Sequence, residues 1–176
     1  DFGDGSAPLT AFTLTNPTHV YTVPGTYTVT LSATNNCATT AHEEVICIEE
    51  PPVPDFLITP DTACVPFTAV TTNLSSLLNT CDVDTLWNIT FIQSACIPGT
   101  GNGNFTNGTN NTSETPEFLI TNPGEYNVRL NLTNSCGTFF HQQIVLGQAP
   151  PQFILPPLAS VCEGESLNPT ARVNVC

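Results

Sequence analysis

The chain has 176 residues, with 16 Pro, 11 Gly and 8 Cys, and 2 Lys+Arg against 15 Asp+Glu. A formal charge of −13 repels nucleic-acid phosphates and anionic lipid, so neither is an expected partner. No apolar run approaches the ~20 residues of a membrane span, which argues against direct membrane insertion, and 10 Phe argue for folded domains over disorder.

In chain order, Asp1-Phe2-Gly3-Asp4-Gly5-Ser6 is turn-forming. Residues 25–34 then alternate: Tyr27, Val29, Leu31 and Ala33 share one face and Thr26, Thr28, Thr30 and Ser32 the other. Period-two alternation with one apolar face predicts a half-buried antiparallel strand. Asn35-Asn36-Cys37 is a turn, and Ala41–Ile48 the returning strand. Glu49-Glu50-Pro51-Pro52-Val53-Pro54 follows, and proline, which cannot donate to a ladder, marks a stiff junction there. Further strands are predicted near 55–59, 66–72, 84–92, 117–121, 124–133 and 138–146. Between them, Pro98–Ser113 is Gly/Asn/Thr-rich and predicts a long loop. A second junction, Gln148-Ala149-Pro150-Pro151, comes after the last of these strands. Helical periodicity is absent, so the expected class is all-β.

One segment is written twice. Pro24-Gly25-Thr26-Tyr27-Thr28-Val29-Thr30-Leu31 returns as Pro123-Gly124-Glu125-Tyr126-Asn127-Val128-Arg129-Leu130, and the register holds through Cys37 and Cys136 to His42 and His141. Each pair is 99 positions apart (123 − 24, 136 − 37, 141 − 42). That spacing is one β-sandwich domain rather than a short solenoid turn. The expected organisation is an incomplete domain at 1–50, a complete one at 53–147 and the start of a third at 150–176.

The Asp1–Ser6 turn, His19-Val20-Tyr21 and the Gly25–Leu31 strand together resemble the polycystic-kidney-disease (PKD) domain over residues 1–48. The middle domain keeps the second half of that pattern and departs from the first: Trp87-Asn88-Ile89-Thr90-Phe91 stands where the family has its Trp and acidic turn. The resemblance implies tandem immunoglobulin-like β-sandwiches with Trp87 in the core. It also implies an extracellular protein of the secreted or cell-surface kind. The Thr-Asn-x-Cys turns, Pro-rich junctions and absence of Lys are similar to long repeat adhesins of Bacteroidetes-type bacteria, exported by the type IX pathway, some serving gliding motility.

Eight cysteines without a CxxC pair read as disulfides formed in an oxidising compartment. The repeat suggests Cys64–Cys136 and Cys81–Cys96 within the middle domain. On the same logic Cys162 and Cys176 copy Cys64 and Cys81 and pair outside the segment, as do Cys37 and Cys47; a local Cys162–Cys176 bond is the competing account. No signal-peptide pattern opens the segment, and an export signal is expected outside it.

Asp1 and Asp4 are the candidate calcium ligands, against the simpler reading of a self-satisfied turn; no other cofactor is expected. His19, His42 and His141 are accompanied by no nucleophile-elbow motif, and paired carboxylates for glycoside hydrolysis are undefined, so catalysis is not expected. The shared offset of His42 and His141 predicts a common structural role. Seven Asn-x-Ser/Thr patterns begin at Asn73, Asn88, Asn104, Asn107, Asn110, Asn111 and Asn131. Asp61-Thr62-Ala63 and Asp84-Thr85-Leu86 fit the O-glycosylation pattern of the resembling bacterial proteins, with Thr62 the better candidate. Partners are then neighbouring repeats of a longer chain, and surface polysaccharide or other surface and secretion proteins. The leading functional expectation is a non-catalytic adhesin segment; the alternative is an accessory carbohydrate- or protein-binding module beside a secreted hydrolase.

Overall fold

The computed structural model describes residues 1–11, 16–93, 103–154, 162–164 and 172–174. Every regular element among them is a strand. The strands are β1 (Gly25–Thr34), β2 (Thr39–Ile48), β3 (Phe56–Thr59), β4 (Thr62–Cys64), β5 (Phe67–Asn73), β6 (Asp84–Gln93), β7 (Gly103–Phe105), β8 (Glu117–Ile120), β9 (Gly124–Asn134), β10 (Gly137–Gln148), β11 (Gln152–Ile154) and β12 (Arg172–Asn174). No helix among the described residues is long and apolar enough to cross a membrane.

Two compact units form. The first gathers Asp1–Val53, Ser75–Asp84 and Leu132–Phe139; the second gathers Pro54–Leu74, Thr85–Asn131 and Phe140–Cys176. In the first unit, β1 and β2 make an antiparallel hairpin with Gly25 opposite Ile48 and Thr34 opposite Thr39. Asp1 adds to its free side, where the Thr30 amide donates to the Asp1 carbonyl at 2.9 Å and the Asp1 backbone nitrogen donates to the Thr30 carbonyl at 3.0 Å.

The larger sheets are four-stranded, ordered β4-β10-β9-β6 and β3-β5-β8-β7. The β3-β5-β8-β7 sheet is antiparallel throughout, and in the other sheet β4 runs parallel to β10 with Thr62 opposite Leu146. The sandwich core takes Phe56 and Ile58 from β3, Ala69 from β5, Trp87 from β6, Phe118 and Ile120 from β8, Tyr126, Val128 and Leu130 from β9, and Val145 from β10. Each such large side chain contributes about 1.5–3 kcal/mol on leaving water. Phe56 meets Trp87 edge-on, ring centroids 4.9 Å apart, which ties the two sheets together. This is the immunoglobulin-like β-sandwich expected, with Trp87 at its centre.

Three expectations need correction. First, the apolar face of the strand at 25–34, expected to be buried, is only partly covered, unlike that of its copy. Tyr126, Val128, Leu130 and Leu132 are at most 1% exposed, whereas Leu31 is 73% exposed. The alternation is the same, but no second sheet among the described residues covers the β1 face. Second, the loop predicted at 98–113 contains β7, a three-residue strand on β8 with Phe105 opposite Phe118. Third, His42 and His141 do not share a role. The side chain of His42 is 82% exposed on β2, and that of His141 lies edge-on to Phe56 at 5.2 Å.

Candidate functional site

Three places gather polar groups: the Asp1–Ser6 turn, the environment of Glu49, and a groove beside Trp87.

The first is built from two successive Asx turns. Gly3 donates its amide to Asp1 Oδ1 at 2.8 Å, and Ser6 donates to Asp4 Oδ1 at 3.0 Å. Gly3 at φ +75° and Gly5 at φ +82° take the left-handed backbone that such tight reversals need. His19 then stacks on Phe2 at 4.1 Å, nearly parallel, and places Nε2 2.7 Å from Asp4 Oδ2. Tyr21 donates its hydroxyl to the Phe2 carbonyl at 2.9 Å and packs against Tyr27. Bonds from the Ser6 side chain, then His19, then the Ser6 amide hold the Asp4 carboxyl well below the usual carboxylate range. Asp1 and Asp4, the calcium candidates, thus both have a carboxylate oxygen committed to a local amide. His19 lies on Asp4, but among the described residues neither aspartate belongs to a cluster of three ligand atoms within mutual reach.

Glu49 is the centre of the second place, wholly within the first unit. Its Oε1 accepts the backbone amides of Cys81 at 2.8 Å and Asp82 at 3.2 Å. Its Oε2 accepts the Ser135 amide at 3.2 Å and the Ser135 hydroxyl. The Ser135 hydroxyl first, then the two amides at 81 and 82, lower its pKa to about 2. Glu50 is held in parallel: Asn134 Nδ2 donates to its carbonyl at 2.8 Å and Asn79 Nδ2 to its carboxylate at 3.0 Å. The Cys136 thiol donates to the Glu49 carbonyl at 3.5 Å.

The cysteines corrected by this arrangement lie around it. Cys81 is bonded to Cys47, with Cα atoms 6.5 Å apart, and not to Cys96, which falls outside the described residues. Cys64 and Cys136 are both exposed free thiols, not a pair. Beside the Cys47–Cys81 bond the Glu49 carboxylate, two residues after Cys47, accepts the amides of residues 81 and 82. Cys47 has Leu146 as its counterpart, so matching one copy to the other cannot find this bond. Cys37 and Cys162 are likewise exposed thiols, and Cys176 lies outside the described residues. Cys47, Glu49 and Cys81 present ligand atoms within 4.8 Å of one another, but both sulfurs are consumed in the disulfide. Sequence reasoning saw Glu49 only as junction charge; its place just before Pro51-Pro52 was the one available signal.

The third place is a groove of about 380 Å³ in the second unit. Trp87, Ile89 and Phe105 give it apolar walls, and Asn88, Asn110 and Asn111 line it with amides. Its shape follows from the segment after β7. Thr109 Oγ1 donates to the Thr106 carbonyl at 2.7 Å and accepts the Glu117 amide at 3.1 Å, and Trp87 donates its amide to the Asn111 carbonyl at 2.8 Å. The indole Nε1 of Trp87 is buried without a hydrogen-bond partner.

Of the glycosylation candidates, Thr62 is exposed at the start of β4 and Thr85 is half-buried in β6. Asn131 is 9% exposed and donates to the Leu86 carbonyl at 3.1 Å, so its sequence pattern does not offer an accessible amide. Phe118 is core, whereas Phe140 is 53% exposed beneath the Arg129 guanidinium, 3.7 Å from its ring centre.

Residues 1–48 match the family model described as PKD domain. No curated protein and no solved structure matches the chain.

Proposed function

Residues 1–48 belong to the PKD family, a kind of module that is non-catalytic and extracellular, and from that premise we propose that the chain is a stalk-and-display segment of a large secreted cell-surface adhesin. The observation that carries the reading is the second hairpin, β9-β10, which repeats the sequence of the PKD hairpin β1-β2 99 positions on (123 − 24). The same chain closes both hairpins alike: Thr34 and Thr39 hydroxyls pair at 2.8 Å, Thr133 and Thr138 hydroxyls at 2.9 Å. Sandwich modules repeated along a chain space a binding tip from its anchor. On this reading the partners are neighbouring repeats, surface polysaccharide and other surface or secretion proteins, and the wider setting is type IX export and gliding.

Electron microscopy of the full-length protein tests the shape: a beaded rod supports the stalk, and a compact globule overturns it. Protease shaving of intact cells tests the location, with loss of the chain expected while cytoplasmic proteins survive.

A second reading, an accessory binding module beside a secreted hydrolase, is favoured by the Trp87 groove, whose apolar walls and amide lining suit a sugar face and its hydroxyls. Glycan-array binding abolished by Asn110→Ala with Asn111→Ala supports this reading. A blank array and a blank pulldown with the second hydrolase substrate, protein, overturn it.

A further inference from the structure

The Asn134-Ser135-Cys136 turn shows what a Thr-Asn-x-Cys turn can hold. Its Asn134 side-chain oxygen is spent inside the turn, accepting the Cys136 amide at 3.0 Å. Everything else points outward to one acidic dipeptide. The Asn134 side-chain amide takes the Glu50 carbonyl, the Ser135 amide and hydroxyl take the Glu49 carboxylate, and the Cys136 thiol takes the Glu49 carbonyl. Backbone and side chain are thus read together, with the carboxylate as the specific element.

The first copy has the same turn. Asn35 Oδ1 accepts the Cys37 amide at 2.8 Å and the Ala38 amide at 3.0 Å, so the turn is preformed. The flanking threonines close it as in the second copy. The groups that bind in the second copy are exposed here: Asn35, Asn36 and Cys37 all face solvent, and Cys37 is a free thiol. Asn36 takes the place of Ser135 and keeps a side-chain donor, the amide in place of the hydroxyl.

We propose that the Asn35-Asn36-Cys37 turn is a docking site for an extended acidic Glu-Glu-Pro segment, supplied by the end of another copy of this repeat. Chemistry favours that occupant over a basic or apolar one, because the turn presents donors and no carboxylate, and because the segment it takes in its filled twin is known residue by residue. The proposal deepens the stalk reading by naming the contact that would link successive repeats. Its test reads the turn alone, so its failure leaves the microscopy of the rod to decide the stalk reading separately.

The intact chain, labelled with nitrogen-15, is titrated with the synthetic peptide Val45–Pro52 carrying Ser in place of Cys47, or with the same peptide bearing Gln in place of Glu49 and Glu50, and the Asn36 and Cys37 amide signals are followed by NMR. The Glu peptide is expected to bind about fivefold more tightly than the Gln peptide, the worth of roughly one net hydrogen bond. Asn36→Ala weakens the binding and Asn36→Ser, the residue of the filled twin, restores it. Amide signals that do not move, or equal affinities for the two peptides in the wild type, overturn the proposal.

Discussion

A single glycine fixes how the acidic turn meets its strand. Gly3 lies at φ +75°, and a Cβ there would collide with the Thr28 carbonyl oxygen. Gly3→Ala therefore combines backbone strain with a steric clash against main chain, and about 1–3 kcal/mol of local stability is expected to be lost. Hydrogen exchange of the β1 amides checks it; unchanged protection counts against the account. Glu49 yields a prediction in pH. Its carboxyl is drawn down from 4.5 to about 2 by the Ser135 hydroxyl and the 81–82 amides. A depressed carboxylate stabilises the fold fully above its unfolded pKa, and the contribution fades as pH falls through the folded value. Wild type should therefore melt above Glu49→Gln at pH 7, and the gap should close between pH 5 and about 2. A gap independent of pH would mean that the charge plays no part.

The paired hairpins make a controlled experiment at the scale of elements. Leu31 and Leu130 are the same residue at the same register, one 73% exposed and the other fully buried. Leu130→Ala is expected to cost about 2–5 kcal/mol in urea denaturation, and Leu31→Ala within about 0.5 kcal/mol. Comparable losses would contradict the difference in burial. The contrast also shows how far sequence reaches. Alternation placed β1 and β9 and sorted the residues of each onto two faces, because side-chain parity is a property of the strand itself. It could not say which copy would be covered, since cover comes from the facing sheet, whose β3 and β5 lie far back in the chain. Short strands escaped for a related reason: β4 and β7 have three residues each, too few for a period. The Asp1–Ser6 turn was legible because Gly and Asp carry their conformations locally. The Glu49 cluster was not, because its donors come from positions 81, 82 and 135, and nothing at position 49 announces them.

Across the whole molecule, the Cys47–Cys81 bond closes a loop spanning 34 positions. The chain-entropy model gives such a crosslink about 4 kcal/mol. Reduction should lower the melting temperature of the first unit, and Cys47→Ser should reproduce the effect without reductant. If reduction leaves the melt unchanged, the bond is structurally idle. A broader consequence follows from how the carboxylates are satisfied. The chain has 2 Lys+Arg for 15 Asp+Glu, and the ion pairs seen among the described residues use histidines. Asp1 and Glu49 instead take main-chain N–H groups, and Asp4 takes one beside its contact with His19. Dissolved salt has few attractive pairs to weaken here, whereas it screens the mutual repulsion behind a charge of −13. The melting temperature is expected to climb as sodium chloride is raised from dilute buffer toward brine. Because Asp1, Asp4 and Glu49 are held by amides, the fold is expected to keep its stability in saline surroundings.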